Sequence, residues 1–225
     1  MQGKRLERKR LNIELYRILE ERILTGALFP GTKLSEEGVA GEFGVSRSPA
    51  REAIMELQRR GLAERSGARD RMVALPTETL VAEAFEMWWV LDSIRLYLSS
   101  KAATPEEHAR LQELLAAMEA MTGEEPGAEH RRLSEEFHAL LTRHAGNSQL
   151  DRMMDDNGRY IRWFKALYFE KLDTSPSSHE EHRTIVECYI RSDLPGLMEV
   201  IQRHILRQRD AILQRFAAID AAAND

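Results

Sequence analysis

The sequence predicts a mainly α protein in two parts, an N-terminal winged helix-turn-helix with a small β wing and a C-terminal all-α antiparallel helical bundle. Three observations carry this. Apolar residues recur at helical spacing along most of the chain, and one stretch around residues 62–75 instead runs as two short segments about a Gly-containing tip. The third is charge: residues 1–75 hold 15 Lys and Arg against 11 Asp and Glu, while residues 76–225 hold 17 against 26, within a net charge of −5 over 225 residues. A boundary at Pro76 therefore separates a basic domain, 1–76, from an acidic one, 77–225, and the two face different partners.

The first helix is read from Leu11, Leu15, Ile18, Leu19, Ile23 and Leu24, and Gly26 stops it. Pro30-Gly31 turns the chain into a short helix near 36–43. Gly44 can supply a positive φ between that helix and the next, which starts after Ser46 as N-cap, carries Pro49 in its first turn, and ends at Gly61. Leu62, Glu64 and Ser66, then Arg71, Val73 and Leu75, form the wing around the tip Gly67-Ala68-Arg69-Asp70. Beyond Pro76-Thr77, helices are expected at about 79–102, 104–122, 127–145, 147–171, 177–192 and 194–219. Thr104 and Glu107 are spaced for a capping box. The Ala-rich tail from Ala217 to Ala223 is expected to fray.

Composition narrows the classes of function. With 43% hydrophobic and 31% charged residues the chain can bury a core, and no apolar run approaches the roughly 20 residues of a membrane span. A single cysteine, Cys188, excludes an internal disulfide and fits a reducing, cytoplasmic setting.

A second helix following a tight Gly turn enters the major groove N-terminus first. That places Ser46, Arg47, Ser48 and Arg51 at DNA. Arg47 and Arg51 lie four apart on one face, and each guanidinium fork matches the O6 and N7 of guanine. Ser46 and Ser48 suit phosphate oxygens, helped by the helix N-terminus. Arg59, Arg60 and Arg65 have the plainer reading of solvated or ion-paired side chains.

The run ILTGALFPGTKLSEEGVAGEFGVSRSPAREAIMELQRRGLAE closely resembles the DNA-binding domain of the GntR family of bacterial transcription regulators, in its FadR-like branch, over about 11–75. The resemblance implies that Arg47 and Arg51 read a double-stranded operator with Ser46 and Ser48 on its backbone, and that a homodimer meets a pseudo-palindromic site. The family often has a glycine at the wing tip. Here Ala68-Arg69-Asp70-Arg71 takes its place, which puts Arg69 at the DNA and an acidic Asp70 near phosphate.

Three histidines, His138, His182 and His204, share apolar faces of three different helices. Taken singly each reads as a hydrogen-bonded core residue, and together they could bind a divalent metal, for which neutral imidazole is a suitable ligand. Residues 79–216 are similar to the FCD effector domain, through FHALLTRHAGNSQL and EEHRTIVECYIRSDLPGLMEVIQRHI. That resemblance implies an effector-binding bundle with Zn or Ni on His138, His182 and His204. The aspartate that such domains carry one turn before the first histidine is Ser134 here, so water or an effector carboxylate would have to complete the shell. An arginine frequent in the first bundle helix is Trp88, ahead of Asp92, so the effector pocket around Trp88, Asp92 and Ser134 is expected to take a carboxylate or an aromatic compound. Trp89, Trp163 and Phe164 add to that aromatic character, or are ordinary core.

A metal-dependent hydrolase is the rival reading, resting on HEEH at His179 to His182. Its histidines are three apart rather than the four a zincin needs, and no phosphate loop or nucleophile elbow accompanies it. A helical interaction protein would leave the winged helix unexplained. The sequence therefore reads as a regulator and not an enzyme.

Overall fold

The computed structural model describes residues 2–67, 70–121, 127–168 and 175–224, with side chains described between 11 and 218. The chain divides into two compact units, one of residues 1–77 with 162–167, the other of residues 78–161 with 168–225.

In the first unit α1 (Gln2–Leu24) and α2 (Glu36–Glu42) both pack on α3 (Arg47–Arg59). The inner face of α3, Ala50, Ala53, Ile54 and Leu57, meets a core that includes Leu15, Leu19 and Ile23 of α1, all nearly inaccessible. Each fully buried Leu or Ile there contributes about 1.5–3 kcal/mol. α1 begins well before Leu11, because the segment ahead of it is rich in Lys, Arg and Glu, which are good helix formers although they carry no apolar stripe.

Gly44 makes the turn between α2 and α3 with φ +62°, a left-handed conformation that costs a residue with a side chain about 1–2 kcal/mol. Ser46 occupies the N-cap position of α3 with extended backbone, but its hydroxyl makes no capping bond, unlike Ser35, which caps α2 by accepting from the Gly38 N–H. Pro49 in the first turn of α3 removes one N–H that would otherwise need a partner.

The wing is β1 (Ala63–Arg65) paired antiparallel with β2 (Arg71–Val73), Glu64 opposite Met72. A third segment joins it: Lys33 bridges to Met72, and the Gly31 and Leu34 amides donate to the Val73 and Arg71 carbonyls at 2.9 and 2.8 Å. The Pro30-Gly31 turn is thus part of the wing, and Lys33 pairs with Asp70 at 3.2 Å. Arg69 lies outside the described residues.

The second unit comprises α4 (Glu78–Ser100), α5 (Pro105–Ala120), α6 (Ala128–Thr142), α8 (Pro176–Ile190), α9 (Leu194–Asn224) and most of α7 (Ser148–Tyr168). α4 packs on α9, α6 and α8, α5 on α6 and α8, and α8 on α9. Thr104 and Glu107 form the expected capping box on α5. Ser99 of α4 shares a hydrogen bond with the Tyr189 hydroxyl of α8 at 2.9 Å and accepts from the His144 amide at 3.0 Å, pinning three elements inside the bundle. α9 continues to Asn224 and takes in the Ala-rich tail, in keeping with alanine's top helix propensity.

Candidate nucleic-acid interface and histidine cluster

Arg47 and Arg51 stand exposed on the first turns of α3, on the same face. Each is steadied by a glutamate from the start of α2: Arg47 Nη2 reaches Glu37 Oε1 at 2.8 Å, and Arg51 Nε lies 3.9 Å from Glu36 Oε1. Such exposed pairs are worth about 0.2–1 kcal/mol each, so either guanidinium can leave its glutamate for a phosphate or a guanine edge. Ser46 is exposed and Ser48 half-buried beside them. At the other end of α3, Arg59 and Arg60 both pair with Glu56, and Arg60 also lies over the Tyr16 ring at 5.2 Å. They are spent within the domain, and Arg65, exposed on β1, lies outside this face.

In the bundle, His182 is the middle of a histidine chain. Its ring centre lies 5.6 Å from that of His138 and 5.0 Å from that of His204, with Phe137 at 5.3 Å. His182 and His204 are buried, but His138 is exposed, which corrects the expectation of three rings inside the bundle. The cause is helical rotation: the buried ridge of α6 is His130, Leu133, Phe137, Leu140 and Leu141, and His138 falls on its flank with half-buried Ser134 one turn earlier. The chain of rings thus runs from the bundle surface inward.

Two features prepare these rings as ligands. Burial, reinforced by the fields of His138 and His204, holds the His182 pKa at about 2, so its ring is neutral at physiological pH and keeps a lone pair. Both of its ring nitrogens are buried without a hydrogen-bond partner. His204 Nδ1 faces Glu181 Oε2 at 2.8 Å, and its Nε2 faces the Gln208 amide at 2.9 Å. A carboxylate on Nδ1 makes that nitrogen the donor and puts the lone pair on Nε2, where it accepts from the Gln208 amide; a metal at Nε2 would have to displace that amide. Glu181 is itself held by Arg207 Nη2 at 2.7 Å. Among the described residues, however, no three His, Cys, Asp or Glu side chains already converge as a metal-ligand set.

Trp88 packs on Gly158 of α7, where an added Cβ would come within 3.1 Å of the indole, and the Arg95 guanidinium lies over its ring at 5.9 Å. Arg95 also grips Asp92 through Nε and Nη2 at 3.1 and 2.7 Å. Arg95, two turns after position 88 in the same helix, thus brings a guanidinium to both Trp88 and Asp92. Trp163 and Phe164 are wholly buried and stacked with ring centres 5.6 Å apart, in the stretch of α7 that groups with the first unit rather than with Trp88.

Sequence reasoning missed Arg95, Glu181, Gln208 and His130, and weighed His179 only as part of the HEEH motif. For the histidines the signal was available: His130 lies seven residues, two helical turns, before Phe137 on the apolar ridge of α6, and His179 three before His182 on α8.

A winged helix with two exposed arginines at the start of its second helix, on one chain with a helical unit containing a histidine cluster, is the build of a transcription regulator. The comparisons with known proteins agree and make it specific. Residues 83–207 match the FCD domain, and residues 11–69 match the bacterial regulatory proteins of the gntR family. The chain belongs to the GntR family of regulators, in the group that carries an FCD domain. It is 28% identical over 195 residues to the HTH-type transcriptional regulator YdhC of Bacillus subtilis, covering 86% of this chain and 85% of that protein. It is 27% identical to the probable D-xylose utilization operon transcriptional repressor of Paenarthrobacter nicotinovorans, over 98% and 96% of the two chains. The HTH-type transcriptional repressor RspR of Escherichia coli is 29% identical over 91% and 90%. Among solved structures, E. coli McbR/YncC shares the fold with a TM-score of 0.65 at 18% identity, over 92% of this chain and 98% of that one. Among the described residues no helix is long and apolar enough to cross a membrane.

Proposed function

We propose that this regulator is a ligand-responsive repressor that binds a pseudo-palindromic operator as a homodimer. The observation that carries the DNA part is the pair of exposed guanidinium groups of Arg47 and Arg51, one helical turn apart and tethered only by exposed glutamates. Ser46 and Ser48 contact the backbone, Arg69 serves the wing, and the Lys33–Asp70 pair lessens the repulsion Asp70 would exert on phosphate. Twofold symmetry of the protein requires a twofold operator. Repression is favoured because two of the relatives above are named as repressors.

The effector acts in the helical unit. His138, His182 and His204 would hold a Zn or Ni ion, with the exposed His138 at the entrance and the Glu181-oriented His204 at the inner end. When bound, such an ion supplies an open coordination position for a carboxylate. Ser134 leaves that position open where an aspartate would close it. Trp88 and Asp92, ordered by Arg95, contribute an aromatic wall and a charged edge for the rest of the molecule. Effector binding shifts the population between arrangements of the two operator-binding domains.

Operator fragments selected from random DNA, followed by anisotropy titrations, test this reading. Arg47→Ala and Arg51→Ala should each cost about 1–3 kcal/mol at their base positions. Unchanged affinity in both variants refutes it. For the metal, elemental analysis of the purified chain and of the His138, His182 and His204 triple alanine variant decides, and absence of metal after equilibration with Zn and with Ni removes that part alone.

A further inference from the structure

The histidine cluster does not end at His182. The residues whose fields depress its ionisation include His179 and His130 as well as His138 and His204. Five of the seven histidines in the sequence therefore gather around His182. The rings of His130 and His179 lie 6.5 Å apart and are tilted by only 33°. His130 is 7% exposed, and both of its ring nitrogens are buried with no hydrogen-bond partner; the same is true of His179 Nε2.

A neutral imidazole carries one N–H and one lone pair, and leaving either unmet in the interior is costly. Burial lowers the His130 pKa, with His179 adding to it, so the ring keeps its lone pair in neutral solution. Unlike His204, neither ring has a carboxylate among its hydrogen bonds. An anion would meet only the N–H groups and leave the lone pairs as they are. A borderline divalent cation takes one lone pair from each ring, the acceptor that an anion would leave unmet. With metal–nitrogen bonds near 2.0–2.1 Å, two rings on one tetrahedral ion have centres roughly 5 Å apart. The neighbouring pairs stand at 5.0 and 5.6 Å, and this pair needs to close by about 1 Å.

We propose that His130 and His179 form a second position for a zinc-class divalent cation, with its remaining coordination open to water or an exogenous carboxylate. The pair sits in the first turns of α6 and α8, so the positive ends of two helices would lie near the ion. Two such termini weaken the position roughly tenfold relative to one without them. The second position fills after the first and so reads a higher metal concentration.

The full-length chain is dialysed against graded zinc and its metal content counted, and imidazole nitrogen NMR reports which rings lose a free lone pair. Wild type should take two equivalents, the second roughly tenfold weaker. His130→Ala/His179→Ala should keep only the tighter one, and His138→Ala/His204→Ala only the weaker, with the His130 and His179 signals still shifting. If His130→Ala perturbs folding, His179→Ala alone on the less buried ring gives the same loss. The proposal is overturned if His138→Ala/His204→Ala binds no zinc, or if His130→Ala/His179→Ala leaves stoichiometry and both ring signals unchanged. Loss of all zinc in His130→Ala/His179→Ala would instead retire the three-histidine site and leave this pair standing.

Discussion

Glu181 is the residue on which the interior of the helical unit turns, and its removal gives a measurable prediction. Its side chain is 6% exposed and meets His204 at 2.8 Å and Arg207 at 2.7 Å, with Arg203 at 3.8 Å. Breaking a buried ion pair from one side costs about 3–5 kcal/mol, because the partner charge remains without compensation. Arg207 keeps about a third of its side chain in water, so the lower end applies. Glu181→Ala should then cost about 3 kcal/mol, and at roughly 2–4 °C per kcal/mol for a chain of this length the Tm should fall by about 6–12 °C. Glu181→Gln should fall between, since its amide oxygen can still accept while the charge is gone. Circular dichroism melts of the metal-free chain provide the assay. A Tm drop under about 2 °C for Glu181→Ala would mean that Arg207 and His204 repartner freely, and the account of an oriented His204 would fail.

Three further predictions follow from local geometry. Gly44→Ala should destabilise by about 1–2 kcal/mol because of its positive φ, whereas Gly41→Ala, helical and with nothing within 4 Å of an added Cβ, should stabilise by about 0.5–1 kcal/mol; urea titration separates the signs. Hydrogen bonds from His144 and from the Thr104 amide hold Glu107 near a pKa of about 2 against an ordinary 4.5, so its stabilisation is complete above pH 4.5 and lost as pH falls toward 2. Glu107→Gln should flatten the melting temperature across that window. Ser134→Asp places a carboxylate one turn before His138 and should tighten zinc by at least about tenfold in competition with a chromophoric chelator; no tightening would mean that position 134 does not face the ion.

What could be read in the sequence follows from the range of the forces involved. The capping box at Thr104, the positive φ of Gly44 and the hairpin register depend on residues a few positions apart, and each is present. The third segment of the wing is not local: Lys33 meets Met72 across the fold, and nothing between them in sequence announces it. Periodicity located the apolar faces well but not the flanks. His138 sits one position from buried Phe137, and a rotation of about 100° is enough to carry it into solvent. Glu180 and Glu181 are indistinguishable as letters, yet one is exposed and the other holds the His204 network. Local pattern therefore delivered the class of fold, while the chemistry of the bundle depended on partners brought from three helices.

The two regions of interest use charge in opposite ways, and that difference separates their roles. Arg47 and Arg51 are held by glutamates across exposed surface, where each contact is weak and screened by salt, so the cost of trading it for a phosphate is small. On the proposed role, such a surface would release its internal partners on meeting DNA, and weak pairs permit this while still keeping the guanidinium groups extended. Glu181 lies out of reach of salt, with two hydrogen-bonded partners that would lose several kcal/mol by parting. An arrangement of that kind is unsuited to exchange and suited to holding a ring in one orientation over many cycles of ligand entry and departure. On the proposed roles, raising ionic strength should weaken DNA binding steeply and leave zinc binding at His204 nearly unaffected, as expected of an exchangeable surface and a permanent one built into the same chain.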